Sequence, residues 1–392
     1  MKFNELGILP ELETALTKES ITQPTQIQEI GMPAIMDGGD IFISSETGSG
    51  KTLAYLLPLI SKLDIKSKNL QVVIITPTYE LCSQIQDELV TLNQNSGLGF
   101  RSTMIIGSAS TKRQLEKLKK KPHVIVGSAG RIFELIKMKK LKVHAVNSVV
   151  IDEADRMLFG NDLDVIKDIL SAMLKERQLI YVSATNQPES NELIASLSPN
   201  LVNIHTKSNT LVDDIDHICF TASGNDKITF LRRIIKSCDP ERGIVFTHKN
   251  ETAILIAEKL RERKMSVGEL HGECDKQTRV NTIKSFRNGK LQILVASDMV
   301  ARGLDIKGVS HIFNIDPPSK SKDYLHRAGR TGRAGVHGYC ISIVSGEEQK
   351  IVRRYERELD IKFSQAIITK DNTFILKDSN GRSYEEKNIT FN

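Results

Sequence analysis

The sequence predicts an α/β protein of two tandem domains, each a mostly parallel sheet flanked by helices. With 392 residues, the chain exceeds the ~100–200 residues of a typical domain. Short runs rich in valine and isoleucine alternate with amphipathic stretches, which is typical of parallel strands joined by helices. This series occurs twice, and the polar segment 207–216 between the two copies has no helical periodicity. We therefore expect domains at 1–206 and 217–360, joined by a flexible linker at 207–216.

Ten strands are predicted, six in the first series and four in the second. In chain order they are 40–44, 72–76, 103–106, 123–126, 148–151, 179–183, 243–247, 291–296, 311–315 and 339–344. Helical patterns between them include 50–62, 79–92, 111–120, 251–263, 276–287 and 323–327. Residues 361–392 follow the second series and predict a short extension, as a hairpin or a loose tail.

Composition excludes several classes of protein. Hydrophobic residues make up 40% and charged residues 26%, as in an ordinary globular protein. No apolar stretch approaches the ~20 residues that a membrane span needs, and no signal peptide is recognisable at the start. The five cysteines are scattered, without metal-ligand spacing. We expect a cytoplasmic protein with reduced thiols, without a membrane segment, a disulfide or a zinc site.

The charge is modest overall but uneven. The net charge is +6, and residues 112–142 contain eleven Lys/Arg and two carboxylates. A phosphate backbone is one partner that such a run fits, and a solvated helix face is the alternative. Aromatic residues make up 5%, with no tryptophan, so a protein that stacks single-stranded bases on aromatic platforms is disfavoured. A nucleic-acid partner would be held through sugar and phosphate.

Residues 45–52 predict a phosphate-binding loop. They follow a predicted strand and precede a helical pattern, as a P-loop requires. Glycines let backbone N–H groups face a phosphate, Lys51 neutralises its charge, and the hydroxyl of Thr52 suits Mg²⁺. The strict P-loop spelling fails at Ser45, and the alternative is a Gly/Ser turn followed by an incidental lysine. The loop residues expected at the nucleotide are Thr47, Gly48, Ser49, Gly50, Lys51 and Thr52.

An acidic tetrapeptide, 152–155, follows the strand 148–151. Ligands of α/β sheets bind at the carboxyl ends of the strands. Asp152 is therefore a candidate Mg²⁺ ligand, and Glu153 is a candidate for orienting and deprotonating an attacking water. The alternative is that both carboxylates cap the next helix.

Three arginines in the second half are spaced by three residues and separated by glycines: Arg327, Arg330 and Arg333. A guanidinium group suits a transferring phosphate, and such an arginine can accelerate hydrolysis by ~10³-fold or more. The alternative is a basic patch on a phosphate backbone. With the first half, this pattern predicts an ATP whose phosphates are approached from both domains.

Together and in order, these motifs resemble the DEAD-box family of ATP-dependent RNA helicases, from about residue 3 to residue 360. The resemblance implies two RecA-like domains, ATP and Mg²⁺ as cofactors, and RNA bound through its backbone without sequence specificity. It implies that Phe3 stacks on adenine, that Gln28 reads the adenine edge, and that Asp305 reaches the ribose. Ser183 and Thr185 would couple nucleotide state to closure, and Arg330 and Arg333 would be the finger residues. The implied RNA contacts are Pro77, Thr78, Gly107, Arg131, Thr247, Arg279 and Ser297.

Several RNA-contact motifs depart from the family. Tyr79 stands where the family has arginine, Ser108 replaces a glycine, Ser128-Ala129 replaces Thr-Pro, and Lys276 replaces glutamine. We expect RNA binding that is weaker or more salt-sensitive than is usual in the family.

The resulting hypothesis is an RNA-dependent ATPase that locally unwinds short duplexes or remodels RNA and RNA–protein complexes. It is expected to be a monomer, with protein partners possible for targeting. An ATP-gated RNA clamp with little strand displacement and a DNA translocase are the alternatives.

Overall fold

A computed structural model of the protein describes residues 1–45, 48–158, 162–184, 188–206, 215–222, 226–298, 308–332, 336–369 and 374–377. The chain divides into two compact units, Met1–Ser208 and Asn209–Asn392. Most of the predicted linker lies outside the described residues, and the first strand of the second unit begins at Ile215. The finer domain boundaries given above stay predictions.

The first unit contains a seven-stranded sheet. A short 3₁₀ helix (Phe3–Leu6) precedes α1 (Pro10–Lys18) and α2 (Gln26–Asp37). The strands are β1 (Ile41–Ser44), β2 (Val72–Ile75), β3 (Ser102–Ile105), β4 (Val124–Gly127), β5 (Ser148–Asp152), β6 (Gln178–Ser183) and β7 (Val202–His205). The helices between them are α3 (Lys51–Ser61), α4 (Tyr79–Ser96), α5 (Thr111–Leu118), α6 (Ala129–Lys137), α7 (Ala154–Met157), α8 (Leu163–Ser171) and α9 (Pro188–Leu197). All pairings are parallel, in the order β3-β4-β2-β5-β6-β1-β7.

The second unit contains an eight-stranded sheet. Its strands are β8 (Ile215–Thr221), β9 (Gly243–Thr247), β10 (Val267–Leu270), β11 (Ile293–Ser297), β12 (His311–Asn314), β13 (Gly338–Val344), β14 (Ser364–Ile368) and β15 (Phe374–Lys377). Its helices are α10 (Lys227–Cys238), α11 (Asn250–Arg261), α12 (Lys276–Arg287), α13 (Ser321–Ala328) and α14 (Gln349–Leu359). The strand order is β10-β11-β9-β12-β13-β8-β14-β15, and only the β14–β15 pair is antiparallel.

Both faces of each sheet are covered. In β1, Ile41 and Ile43 pack into one apolar cluster, while Phe42 packs into another on the opposite face. In β9, Ile244 and Phe246 face one cluster and Val245 the other. Because successive strand residues point to opposite faces, these continuous apolar strands need helices on both sides. The predicted fold class, two tandem RecA-like α/β units, is confirmed.

Local sequence fixes where several helices begin. The Thr78 hydroxyl accepts a hydrogen bond from the N–H of Leu81 at 3.2 Å and caps α4. Asp275 accepts from the N–H groups of Gln277 and Thr278 and caps α12. Such caps satisfy donors that have no partner inside the helix. Within the described ranges, no helix has the length and apolar character needed to cross a bilayer.

Candidate active site and nucleic-acid interface

Three predicted motifs meet at the carboxyl edge of the first sheet. The strand order places β5, β6 and β1 side by side. Ser44 is paired in register with Ser183, and Asp152 with Val182. The Ser45 N–H donates to the carbonyl of Ser183 at 3.2 Å. The phosphate loop after β1, Ser183 at the end of β6 and Asp152 at the end of β5 therefore share one edge.

The phosphate loop has the backbone that its glycines allow. Gly48 and Gly50 have φ of 89° and 91°, which side chains other than glycine adopt only with strain. Gly50 directly precedes α3, so the first N–H groups of this helix and its positive dipole end face the loop. The Lys51 ammonium donates to the carbonyl of Ser45 at 2.5 Å. Thr47 lies outside the described residues.

Side chains at the start of α2 donate hydrogen bonds to the backbone of this loop. The Thr25 hydroxyl donates to the carbonyl of Ser49 at 2.7 Å, and the Gln28 amide nitrogen donates to the carbonyl of Gly50 at 3.1 Å. The Gln28 amide oxygen accepts from the Thr25 N–H at 2.9 Å. Gln28 is thus a helix cap and a brace for the phosphate loop, and its contact with adenine stays a prediction.

Phe3 lies in the 3₁₀ helix, with its ring 1% exposed among the apolar residues that pack on α1 and α2. In this structure the ring serves the core of the first unit. Its stacking on adenine stays a prediction, and such stacking requires the ring to become accessible.

Asp152 is a buried carboxylate with neutral hydrogen-bond donors. The Tyr55 hydroxyl donates to it at 2.9 Å, and the N–H of Glu153 donates at 2.9 Å. Burial raises the pKa of Asp152, while these two hydrogen bonds and the charge of Lys51 act in the opposite direction. Burial and the neighbouring carboxylate also raise the pKa of Tyr55. The hydrogen bond from Tyr55 joins α3, the helix that follows the phosphate loop, to Asp152.

Glu153 occupies an uncommon backbone conformation between β5 and α7. Its φ and ψ are 51° and 47°, and it occupies the N-cap position of the helix that starts at Ala154, without a capping hydrogen bond from its side chain. One carboxylate oxygen lies 3.7 Å from a guanidinium nitrogen of Arg156. A left-handed residue other than glycine costs on the order of 1 kcal/mol or more, and such strain concentrates at functional sites.

The residues at this edge fit Mg²⁺ bound together with phosphates. Among the described residues, no group of three or more His, Cys, Asp or Glu side chains could hold a metal ion. Mg²⁺ commonly takes one or two protein oxygens and completes its shell with water and substrate phosphates. The buried carboxylate of Asp152 and the hydroxyl of Thr52, in the first turn of α3, supply such oxygens.

The remaining carboxyl ends of the first sheet carry the predicted RNA contacts. They follow β2, β3 and β4, which are neighbours in the sheet. Thr78 caps α4 after Pro77, and Gly107 is exposed after β3. Arg131 is 7% exposed, and its guanidinium group binds Glu134 and Thr111 at 2.5 Å each. Arg131 therefore has internal partners, and its contact with RNA stays a prediction.

The corresponding strands of the second sheet are β10, β11 and β9, again neighbours. Thr247 and Ser297 are paired in register at the ends of β9 and β11. The Thr247 hydroxyl donates to the carbonyl of Lys249 at 3.0 Å. The Ser297 hydroxyl is buried and has no hydrogen-bond partner within the described part of the chain. Arg279, in α12, donates to the carbonyl of His271 at 3.4 Å.

Arg327 organises the next part of that edge. It is 3% exposed and donates to Asp298 at 2.5 and 2.8 Å, to the Asn314 amide oxygen at 2.8 Å, and to the Asp316 carbonyl at 2.7 Å. His248 binds the same carboxylate at 2.8 Å. Burial alone would raise the pKa of Asp298, but the bonds from His248 and Arg327 outweigh burial and lower it.

Arg330 lies just after α13 and is 9% exposed, with its Nε donating to the carbonyl of His326 at 3.3 Å. The neighbouring Thr331 hydroxyl donates to the carbonyl of Val309 at 2.6 Å and fixes this turn. Besides Thr47, three predicted site residues lie outside the described residues: Thr185, Asp305 and Arg333.

Sequence reasoning missed the structural roles of three residues at these edges. Tyr55 lies four residues after Lys51, so helical periodicity places it on the same side of α3, but no pattern distinguishes it from a core tyrosine. Asp298 belongs to a motif used for the resemblance, without a role of its own. His248 carries no signal in the sequence, because its partners follow other strands.

Each of the two units matches a known helicase sequence family. The sequence model described as DEAD/DEAH box helicase matches residues 25–193. The model described as helicase conserved C-terminal domain matches residues 226–335.

Individual relatives match over most of their length. The DEAD-box ATP-dependent RNA helicase CshC of Bacillus cereus is 39% identical over 359 residues, which cover 91% of this chain and 91% of that protein. YfmL of Bacillus subtilis is 36% identical over 347 residues, which cover 88% and 91%. Among solved structures, S. cerevisiae Dbp5 bound to RNA and ADP BeF3 superposes with a TM-score of 0.84 at 27% identity, covering 93% of this chain and 95% of that one.

Proposed function

The chain belongs to the DEAD-box family of ATP-dependent RNA helicases, and from that premise we propose that it is an RNA-dependent ATPase that locally unwinds short duplexes or remodels RNA and RNA–protein complexes. One observation supports the chemistry most directly. The phosphate loop, Ser183 and the pair Asp152-Glu153 come from strands that are neighbours at one sheet edge. This edge combines anion-binding backbone with acidic groups, as phosphoryl transfer requires.

Each residue of that edge receives a role. Lys51, which now binds a loop carbonyl, exchanges that acceptor for the terminal phosphates of ATP. Glu153 orients the attacking water and accepts its proton. Asp152 and Thr52 are the residues that would hold Mg²⁺, and the ion when bound neutralises charge that develops on the phosphates. Tyr55 keeps the Asp152 carboxylate in position.

RNA is the proposed nucleic-acid partner. The predicted contacts from the first unit follow three neighbouring strands, and Thr247 and Ser297 follow neighbouring strands in the second. Most of these groups are hydroxyl or backbone groups, which suits sugar and phosphate rather than base edges. By linkage, ATP and RNA each tighten binding of the other. The roles of Arg330 and Arg333 at the transferring phosphate stay predictions.

The proposal includes a cytoplasmic monomer that is directed to its RNA by protein partners or acts broadly. The five cysteines are free thiols, four of them buried, which supports a reducing compartment.

Replacing Glu153 by Gln tests the enzymatic part of the proposal. We expect RNA-stimulated ATP hydrolysis to fall about 10²–10⁴-fold, because the variant keeps the shape of the side chain but cannot accept a proton. Nucleotide affinity, measured by titration with a fluorescent ATP analogue, should stay within about twofold, because the phosphate loop is unchanged. Glu176→Gln is the matched control, since Glu176 is exposed in the same unit and lies outside the motifs.

Unchanged turnover in Glu153→Gln would contradict the assignment. The parent protein is assayed in parallel for displacement of one strand of a short RNA duplex. A protein that hydrolyses ATP and holds RNA without displacing the strand would be a clamp. Stimulation of hydrolysis by DNA as strong as that by RNA would contradict the choice of nucleic acid.

A further inference from the structure

The basic segment 112–142 of the first unit places most of its lysines at the amino edge of the sheet, whereas the predicted motifs lie at the carboxyl edge. In a parallel sheet, the segments that precede the strands meet at the amino edge, and those that follow meet at the carboxyl edge. Segments 119–123 and 138–147 precede β4 and β5, so their lysines belong to the amino edge. They cannot substitute for the arginine that Tyr79 replaces, because Tyr79 follows β2 at the carboxyl edge.

Four neighbouring strands share this basic edge. The segments that precede β2, β3, β4 and β5 are 64–71, 97–101, 119–123 and 138–147, and together they contain nine Lys/Arg and one carboxylate, Asp64. These strands are consecutive in the sheet, in the order β3-β4-β2-β5. With ~4.8 Å between neighbouring strands, the edge extends about 14 Å across them.

Hydrogen bonds join these segments into one surface. Arg101 donates from Nε to the carbonyl of Lys121 at 2.8 Å and from Nη2 to the carbonyl of Ser67 at 3.2 Å. His123 contacts the same Ser67 carbonyl through Nε2 at 3.0 Å. Lys68 and Lys121 are thereby held on adjoining loops. We define the lysine face by six exposed residues: Lys68, Lys120, Lys121, Lys139, Lys140 and Lys142.

The charge of the lysine face is not balanced by the protein. None of its six ammonium groups has a hydrogen-bond or ion-pair partner among the residues that the structure describes. The two carboxylates of the segment 112–142 form ion pairs with residues outside the lysine face: Glu116 with Lys119 at 2.7 Å and Glu134 with Arg131 at 2.5 Å. An exposed surface with one sign of charge attracts a polyanion.

The second unit shows that this charge does not follow from the fold. The equivalent segments before β9, β10, β11 and β12 are 239–242, 262–266, 288–292 and 308–310. They contain four Lys/Arg and three carboxylates. The same edge of a similar sheet is therefore nearly neutral there, as expected of a solvated surface.

We propose that the lysine face is a second RNA-binding surface, which holds the phosphate backbone of a duplex or structured segment continuous with the RNA bound at the motifs. The inference rests on the RNA helicase function proposed above. The predicted RNA contacts of the first unit follow β2, β3 and β4, three of the four strands that carry the lysine face at their other end. RNA that leaves the motifs around the edge strand β3 reaches the lysine face.

The chemistry of the surface selects phosphate rather than bases or an apolar partner. Phe100 and His123 are 2% and 0% exposed, so of the rings in these four segments only that of His144 is exposed. Lysine is a flexible point charge that binds phosphates without fixing a sequence. The surface thus fits the backbone of double-stranded RNA, whose recognition depends on shape and phosphate contacts.

The test compares two RNAs on the full chain. One is a single strand of about ten nucleotides, and the other joins the same strand to a hairpin of about 16 base pairs. In the test variant, Lys120, Lys121, Lys139 and Lys140 are each changed to Gln. In the control variant, Lys236, Lys264, Lys290 and Lys350, all exposed in the second unit, are each changed to Gln. Dissociation constants are measured across a salt series.

We expect the test variant to bind the hairpin-linked RNA about 10- to 100-fold more weakly at low salt. The slope of log affinity against log salt should fall by about two to three units, since each lost phosphate contact removes ~0.7–0.9. Affinity for the short strand, and the ATPase activity that it stimulates, should match those of the parent and the control variant.

Equal affinity of the test variant and the parent for the hairpin-linked RNA would overturn the inference. An equal loss in the control variant would do the same, since it would indicate a general effect of charge. Retained RNA binding with loss of binding to polyglutamate would assign the face to an acidic protein instead. Failure of the parent to bind the short strand or to be stimulated by it would contradict the proposed function, a result distinct from these.

Discussion

The carboxyl edges of the two sheets are built on the same plan and charged in opposite ways. In the first unit one buried ionisable group at this edge is Asp152, whose donors are a tyrosine hydroxyl and a backbone N–H. In the second unit it is Arg327, which meets a carboxylate, an amide oxygen and a carbonyl. The pKa of Asp152 is raised by burial, whereas that of Asp298 is lowered by its hydrogen bonds with His248 and Arg327 and by the charge of Arg327.

The two edges therefore differ in whether their buried charged group already has partners of opposite charge within the protein. A buried carboxylate that lacks a direct cationic partner is stabilised when a cation binds. A buried guanidinium group whose donors are paired with oxygen atoms gains little from a ligand and instead holds its loops in place. The first edge is therefore suited to chemistry, and the second to positioning the segments that follow β11 and β12.

The largest effect is expected from Arg327→Ala. This change leaves Asp298, whose side chain is 23% exposed, without its main partner. Removing one member of a fully buried pair typically costs about 3–5 kcal/mol, which is the upper bound here. We expect an unfolding transition of the second unit at lower denaturant, monitored by hydrogen exchange of peptides from each unit. Arg353→Ala is the control, because Arg353 is exposed on α14. Equal destabilisation of both units, or none, would refute the self-contained network.

A smaller effect is expected from Gly50→Ala in the phosphate loop. The residue has a φ of 91°, and a Cβ would lie 2.5 Å from the Gln28 amide nitrogen. The left-handed backbone alone costs about 1–2 kcal/mol for alanine, and the contact with Gln28 must also break. Because the strain falls on the ligand-binding loop, nucleotide affinity should drop roughly tenfold in a fluorescence titration.

Gly39→Ala is the control for that change. Gly39 lies just before β1, has no positive φ, and has no atom within 4 Å of an added Cβ. Nucleotide affinity equal in the two variants would indicate that the loop relaxes at no cost and that its backbone is not a constraint on binding.

Sequence patterns predicted the central strands better than the peripheral ones. All ten predicted strands are present, because central parallel strands such as β2 and β9 are buried on both faces and read as continuous apolar runs. The edge strands β7 and β10 were missed, and so was β8, an interior strand of the second sheet whose first two residues fall in the predicted linker. Val202 in β7 is exposed, and β10 contains Gly268 and Glu269, so neither segment has that pattern.

The residues of the candidate site also differ in how well the sequence predicted them. Groups that act within one motif, such as Lys51 and Asp152, were predicted from spacing, and the structure places them at one edge. Partners from distant segments were not predicted. Tyr55 is 97 residues from Asp152, and His248 is 50 residues from Asp298. The first pair is fixed by the order β5-β6-β1 in the first sheet and the second by the order β11-β9-β12 in the second sheet, and no local pattern contains either order.

The smallest effect is expected from the charge of His248. Its Nδ1 lies 2.8 Å from the Asp298 carboxylate and its Nε2 lies 3.3 Å from the Pro317 carbonyl. Because both partners only accept hydrogen bonds, only the doubly protonated ring can donate to both. The hydrogen bond with Asp298 raises the pKa of His248 above its usual 6.5, although burial and Arg327 oppose the increase.

A raised pKa in the folded state fixes the sign of the pH dependence. The contribution of His248 to stability is fully present below pH 6.5 and is lost as the pH rises through the folded pKa. Since the side chain is 45% exposed, we expect less than about 1 kcal/mol. In denaturant titrations of the second unit between about pH 5.5 and 8.5, His248→Asn should flatten this dependence, and His144→Asn, at an exposed position of the first unit, should not.

Two other histidines of the second unit act in the opposite direction. Burial lowers the pKa of His217 and His311 to about 4, so these two residues make the second unit more stable as the pH rises. The contribution of His248 is therefore read from the difference between the parent and His248→Asn. A difference that stays constant over that range would show that Asp298 relies on Arg327 alone.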